Sequence, residues 1–414
     1  MSMKFACTVC SSPYSGDTDR YVCPHCGGSI EPVFELSPER TDLIGVLNKG
    51  SSREQGIWGY RKFFPGFEDI EPVTMGEGGT PLIRANALQK EYGVEDLWLK
   101  NEALNPSGTY KDRFATLALS WYKAQNASAV ALGSAGNAGS AVAAYSAKAG
   151  IPCYVVLPAG GVFARAQQAM SYGARFIRAN GEVNDCIELI EKGVSTFGWK
   201  NACTTMLHNP LASEGYKTLV YELFAQLDNQ LPDVILCPIG GGILISKVYR
   251  ACRELIALGL ADKMPRLIGV QAEGCPPVVW AIENGEKNTP TWKNPATVAG
   301  SINDPVTFEG VTALHVIRQS GGDAVAVSDE EIIEAMRLCS AKEAVLAEPA
   351  SAATLAAVKK LTESGKIRRD EKIVSIITGS ALRDLPLFDT GAAAPTVEPS
   401  NPEDMKKAID YYNR

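Results

Sequence analysis

Asn105-Pro106-Ser107-Gly108-Thr109-Tyr110-Lys111-Asp112-Arg113 opens as a turn and ends as a helix. Pro106 fixes its own φ and biases Asn105 away from helix, and Gly108 adds a flexible turn position. From Asp112 onward, apolar residues recur at helical spacing among good helix formers. Lys111 is therefore expected at a turn-to-helix junction, where the positive end of the helix dipole opposes an ammonium and lowers its pKa. A lysine in such a field can act as a Schiff-base nucleophile. On position alone it would be one solvated lysine among many, so its neighbours in sequence have to decide.

Outward from this stretch, glycine-rich turns follow apolar strands. Upstream lies Gly76-Glu77-Gly78-Gly79-Thr80-Pro81-Leu82, then a short strand at Leu97-Trp98-Leu99-Lys100. Downstream, from 115 to about 205, helices alternate with the strands Ala129-Val130-Ala131-Leu132, Cys153-Tyr154-Val155-Val156-Leu157 and Arg175-Phe176-Ile177, a pattern that predicts a parallel sheet wrapped by helices. Gly133-Ser134-Ala135-Gly136-Asn137-Ala138-Gly139-Ser140 is then a loop at the carboxyl end of a strand, where open α/β sheets place ligands. Val234-Ile235-Leu236-Cys237-Pro238 runs through Ile239 into Gly240-Gly241-Gly242 and on to an apolar helix start. Unpaired amides and a helix dipole converge there, as at a phosphate site. The strand Leu267-Ile268-Gly269-Val270-Gln271, the segment Glu348-Pro349-Ala350-Ser351, and the strand Ile373–Ile377 leading into Thr378-Gly379-Ser380-Ala381-Leu382-Arg383-Asp384 complete the series.

Taken in this order, the motifs resemble those of fold type II pyridoxal-phosphate enzymes, the tryptophan-synthase β-like class, and most closely threonine synthases. The resemblance covers roughly residues 75 to 390. It implies pyridoxal 5′-phosphate, held as an imine by Lys111, which also moves a proton at Cα. It places Asn137 at the cofactor's 3-hydroxyl, Gly240, Gly241 and Gly242 at its 5′-phosphate, and Thr378 at its pyridine nitrogen. The loop of Ser134, Ala135, Gly136 and Asn137 would take the substrate carboxylate. A neutral hydroxyl at the ring nitrogen suits elimination over transamination, and the all-glycine phosphate loop departs from threonine synthases toward the dehydratases. The expected fold is α/β with two parallel-sheet domains. A large cofactor-binding domain would combine 36–113 with 206–390, a small mobile domain would cover 114–205, and a tail would run over 391–414.

Ahead of these, Cys7-x-x-Cys10 and Cys23-x-x-Cys26 are spaced as two knuckles of a zinc ribbon, expected within residues 1–35. Four thiolates around one ion leave no open position, so the zinc would be structural. The other seven of the eleven cysteines stand singly in apolar segments, which suits buried thiols in a reducing compartment. With 45% hydrophobic residues over 414 positions the chain can build a large core, and its net charge of −7 argues against nucleic acid or an anionic membrane as partner. No apolar signal core opens the chain, so a cytoplasmic enzyme is expected, as a homodimer acting on a small amino acid. Residues 37–72, rich in aromatics, are expected to wrap the main body.

The substrate is where residues and resemblance part. Threonine synthases take the phosphate of O-phosphohomoserine with a segment like Gly-Asn-Phe-Asp-Asp-Ala-Leu-Arg and another like Asn-Pro-x-Arg-x-Glu-Gly. Here the first places Glu182 and Glu188 where asparagine and arginine are expected, and the second has Ala212 for arginine. Ala135 also replaces a threonine. Two carboxylates facing a dianion would repel it, so a neutral or cationic side chain is expected instead. Four readings stay open: a threonine-synthase-like lyase or synthase acting on another β or γ leaving group, a true threonine synthase, a serine/threonine dehydratase, and a β-replacement synthase similar to cysteate synthase. Outside catalysis, a regulatory binding protein and a metal- or nucleic-acid-binding ribbon protein are the alternatives.

Overall fold

The computed structural model describes residues 3–15, 21–33, 40–50, 54–64, 66–134, 136–159, 166–180, 183–389 and 402–412. Three short antiparallel strands, β1 (Lys4–Cys7), β2 (Pro13–Ser15) and β3 (Ile30–Val33), form the cysteine-rich ribbon in the order β2-β1-β3. Next come β4 (Leu82–Arg84) and β5 (Asp96–Asn101). β6 (Val130–Leu132), β7 (Cys153–Pro158), β8 (Arg175–Ala179) and β9 (Lys200–Asn201) follow, and form an all-parallel sheet in the order β8-β7-β6-β9. Then β10 (Val234–Pro238), β11 (Arg266–Ala272), β12 (Asp323–Val327) and β13 (Lys372–Ile377) join β5 and β4 in a six-stranded sheet ordered β12-β11-β10-β13-β5-β4.

β10 lies inside that sheet and every one of its residues is buried, because helices cover both faces and no polar side is needed. The sheet is not wholly parallel as the sequence pattern predicted, since β4 pairs antiparallel with β5. Only the eleven residues Ala85 to Glu95 connect the two, including the helix Asn86–Tyr92, and a parallel crossover needs about a dozen or more.

The aromatic residues of 56–67 do pack onto the body. Tyr60, Phe63, Phe64 and Phe67 are buried, and the rings of Phe63 and Tyr60 lie 4.8 and 5.5 Å from that of Tyr221. Six of the seven scattered cysteines are buried and Cys203 is half-buried; all are free thiols. Of the expected tail, residues 391–401 and 413–414 lie outside the described residues, and Pro402–Tyr412 is helical. Among the described residues no helix is long and apolar enough to cross a membrane.

A buried charge cluster ties the lysine stretch to this scaffold. Arg113 is fully buried and pairs with Glu102 at 2.6 Å and with Glu222 at 2.6 Å, while Lys100 reaches Glu222 at 2.7 Å. Glu222 also accepts from the Gly79 N–H (2.9 Å) and Lys100 donates to the Thr80 carbonyl (2.7 Å). The upstream glycine turn is thus fastened by the same ions that anchor the start of the helix Asp112–Ala124.

Candidate active site

The turn carrying Lys111 is strapped to the chain leaving β13. Tyr110 N–H donates to the Thr378 carbonyl at 2.9 Å, Thr109 Oγ1 to the same oxygen at 3.1 Å, and Ser380 N–H to the Gly108 carbonyl at 3.0 Å. On the other side, Asp112 accepts from the Ser107 N–H at 2.7 Å and from the Ser107 hydroxyl, which fixes the turn against the first residue of the helix. Burial pushes the Asp112 carboxyl up to about 7.

Lys111 is the N-cap residue of that helix, as the sequence indicated. Its Nζ lies 4.8 Å from the Tyr110 ring centroid and 5.3 Å from that of Tyr216. Burial lowers its pKa to about 8, against the opposing pull of Glu309, Asp304 and Glu348. Desolvation is the largest cause, and the direction of the shift is the one the sequence suggested. Only the neutral amine attacks a carbonyl. The rate at which apoprotein incorporates pyridoxal phosphate should therefore rise with pH up to about 8 and level off above it. Stopped-flow absorbance across pH measures this, and a midpoint near the ordinary lysine value of 10.5 would contradict the buried setting.

Lys111 opens into a cavity of about 370 Å³ at the carboxyl ends of β6, β10 and β13. Two helix N-termini reach it, those of Asn137–Ala149 and Ile243–Ala257, and neither has a side-chain cap. Their first-turn amides are free for anions. Gly240, Gly241 and Gly242 line the wall between β10 and the second helix, and among the described residues their N–H groups have no acceptor. Gly242 has φ +93°, a conformation that side chains disfavour.

Asn137 and Thr378 meet across the cavity through a residue whose contacts the sequence did not reveal. Asn137 Nδ2 donates to both Glu348 carboxylate oxygens (3.0 and 2.8 Å), and Thr378 Oγ1 donates to Glu348 Oε1 at 3.0 Å. Ser301 adds a bond at 3.3 Å, and Arg383 Nη1 donates to Asn137 Oδ1 at 2.5 Å. Burial raises the Glu348 pKa. Glu348 stands at the N-cap of Pro349–Glu363 yet makes no capping bond, because its carboxylate is turned into the site. The Glu-Pro motif marked it as close to a helix start, whereas its role in bridging Asn137 and Thr378 depends on a contact across more than two hundred residues.

Of the other expected site residues, Ser134 and Gly136 line the cavity. Ala135 and Glu182 lie outside the described residues. Glu188 is exposed on the helix Val183–Phe197 and does not reach the cavity, because Cys186 and Ile190, four residues apart, occupy that helix's buried face. Ala212 is buried in the helix Pro210–Ser213, also away from the cavity wall. Acidity that the sequence did not mark is supplied at the wall by Asp304 and Glu309, in a loop that has no motif to announce it.

The family model described as "Pyridoxal-phosphate dependent enzyme" matches residues 73–379. The chain belongs to this family. It is a pyridoxal-phosphate-dependent lyase similar to threonine synthases: that of Methanocaldococcus jannaschii is 38% identical over 91% of this chain and 92% of its own length, and that of Methanosarcina acetivorans 36% over 97% and 98%. Among solved structures, maize serine racemase superposes with TM-score 0.63 at 22% identity, covering 81% of this chain and 94% of its own. Serine racemase from Dictyostelium discoideum gives 0.62 at 24%, covering 80% and 98%. These two establish the shared fold. The residues present fit pyridoxal phosphate: a half-buried lysine at Lys111 with a lowered pKa, free glycine amides at a helix start for its phosphate, and Asn137 and Thr378 as neutral hydrogen-bonding groups.

The ribbon's four cysteine sulfurs lie within 4.8 Å of one another, close enough to share one ion. The ribbon is docked firmly on the body. Glu31 pairs with Lys247 (3.0 Å) and with Arg250, and the Thr312 hydroxyl accepts from the Ser29 N–H at 2.9 Å.

Proposed function

We propose that this protein removes or replaces a β or γ leaving group on an amino acid, and that its substrate is not O-phosphohomoserine. Pyridoxal phosphate, when bound, supplies the electron sink that acidifies the substrate Cα–H. Lys111 would hold the cofactor and then, displaced by the substrate amine, carry the Cα proton. Its lowered pKa suits both tasks. The N–H groups of Gly240, Gly241 and Gly242 would hold the cofactor phosphate. The amides at the start of Asn137–Ala149, with Ser134 and Gly136 beside them, would orient the substrate carboxylate. Thr378 offers the ring nitrogen a neutral hydroxyl where a carboxylate would keep it protonated, which favours elimination over transamination. Tyr110 and Tyr216 keep the amine of Lys111 out of water.

The observation that carries the substrate reading is the charge of the wall. Among the described lining residues there is no arginine, the side chain best matched to a phosphate dianion, while Asp304, Glu309 and Glu348 are all carboxylates. The competing reading, a true threonine synthase, is favoured by the near full-length similarity to threonine synthases. Steady-state assay of phosphate and threonine release from O-phosphohomoserine, beside keto-acid release from serine and threonine, separates the two. Efficient threonine formation would overturn our reading.

For the ribbon we propose one structural zinc held by Cys7, Cys10, Cys23 and Cys26, with the tetrahedral thiolate geometry such pairs favour. Metal analysis should find about one zinc per chain. Cys23→Ser should lose it and melt at lower temperature, since the binding energy of such a site is folding energy. Full metal content in Cys23→Ser would refute the ligand set. The family resemblance further supports a cytoplasmic homodimer, and light scattering of the purified protein tests the dimer.

A further inference from the structure

Contacts between the cysteine ribbon and the body lead to the glycine loop of the cavity. Thr312, buried in the first turn of the helix Gly310–Gln319, accepts from the Ser29 N–H at 2.9 Å, donates to Ser29 Oγ at 3.0 Å and lies 3.2 Å from Thr8 Oγ1. Glu31 pairs with Lys247 at 3.0 Å and with Arg250, both on the helix Ile243–Ala257 that starts beside Gly242. The Leu207 carbonyl accepts from the Tyr21 N–H at 3.1 Å. Each of these body segments in turn meets the loop or its neighbour. Glu309, three residues before Thr312, donates its N–H to the Gly241 carbonyl at 2.8 Å, and its Oε1 accepts from the N–H of Met206, the residue before Leu207, at 2.8 Å. A Cβ on Gly242 would stand 3.3 Å from the Glu309 carbonyl and from Ala313 Cβ.

Three successive glycines have no side chains to hold them and can change conformation cheaply, so their N–H groups stay aimed at one anion only if the flanking structure fixes their path. That structure is the pair of helix starts on either side, and the ribbon holds both. Thr8 lies between Cys7 and Cys10, and Ser29 is three positions after Cys26, so the groups that reach Thr312 belong to the knuckles that gather the four sulfurs. We propose that the ribbon is a positioning element for the cofactor phosphate, acting through Thr312 and Lys247 on Gly240, Gly241 and Gly242. This rests on the reading of that loop as the phosphate site and gives the ribbon a part in cofactor binding besides its own folding. By linkage, bound cofactor and an ordered ribbon stabilise each other by the same factor.

Pyridoxal phosphate and deoxypyridoxal, which lacks the phosphate, separate the loop from the rest of the site when each is titrated by absorbance into full-length apoprotein. Thr312→Val keeps the shape of the side chain and deletes its hydroxyl. It should weaken pyridoxal phosphate about tenfold and deoxypyridoxal by less than about twofold, while Thr312→Ser should bind both as the wild type does. Glu31→Gln leaves the Thr312 contacts in place and removes the charge facing Lys247. It should give the same split, and it carries the test if Thr312→Val does not fold. A purely structural ribbon would loosen the whole site and weaken both ligands alike, which would overturn the proposal. If the wild type prefers pyridoxal phosphate and the folded variants keep that preference undiminished, the ribbon proposal alone is overturned. If the wild type binds the two equally, the loop is not the phosphate site, and the proposal falls with that reading.

Discussion

Lys111→Ala is expected to lower turnover by at least about 10³-fold, because one side chain is asked both to hold the cofactor and to move the Cα proton. The fold should survive. Lys111 is strapped into place by backbone bonds of its neighbours, Tyr110 to Thr378 and Ser380 to Gly108, and among the described residues its own amine makes ring contacts and long-range charge interactions alone. Borohydride reduction of the wild-type holoenzyme followed by peptide mapping should place the cofactor on the peptide containing Lys111. A labelled peptide in Lys111→Ala, or a label elsewhere in the wild type, would contradict the assignment. This result is independent of which amino acid proves to be the substrate.

The second large effect concerns stability. Arg113→Met removes the cation that faces Glu102 and Glu222, leaving two buried carboxylates with only Lys100 to balance them. Breaking such a cluster costs roughly 3–5 kcal/mol, where an exposed ion pair would cost about 1 kcal/mol or less. Denaturant unfolding should show this as a lower midpoint. A loss within experimental error would mean that the cluster is solvated. The pairing with Arg113 and Lys100 overcomes burial and holds Glu222 down at about 2. A carboxylate lowered from 4.5 stabilises the fold fully above that value and loses the contribution as pH falls toward about 2. Wild-type protein should therefore lose stability through this acid window, and a variant that lacks the cluster should lose less. Because Glu222 also holds the Gly79 amide, a partly folded Arg113→Met protein should bind cofactor more weakly as well.

Several features were legible because they are local. The Asn-Pro-Ser-Gly turn and the apolar spacing after Asp112 define the helix Asp112–Ala124 with little help from elsewhere. The apolar run Val234–Pro238 before three glycines could hardly be anything but a buried strand meeting a helix start, and it is one. Other features were not legible. β12 is five residues, Asp323–Val327, whose alternation is too short to separate from a loop until β11 offers an edge to pair with. Glu188 looked like a substrate residue by its place in a motif, but helical periodicity turned Cys186 and Ile190 inward and left it in solvent.

The sequence by itself determined the family, the alternation of strands and glycine turns, the place of Lys111 at a turn-to-helix junction, and the two cysteine pairs. Each is carried by contiguous residues whose backbone preferences act over a few positions. Tertiary structure alone decided the electrostatics of the cavity. Lys111 owes its lowered pKa to burial beside rings from two segments, Glu348 gains its partners from Asn137, Ser301 and Thr378, and Asp304 faces a glycine loop more than sixty positions earlier. Desolvation and Coulomb interactions depend on distance in space, which pairing and packing set, and residues far apart along the chain carry no local mark of meeting.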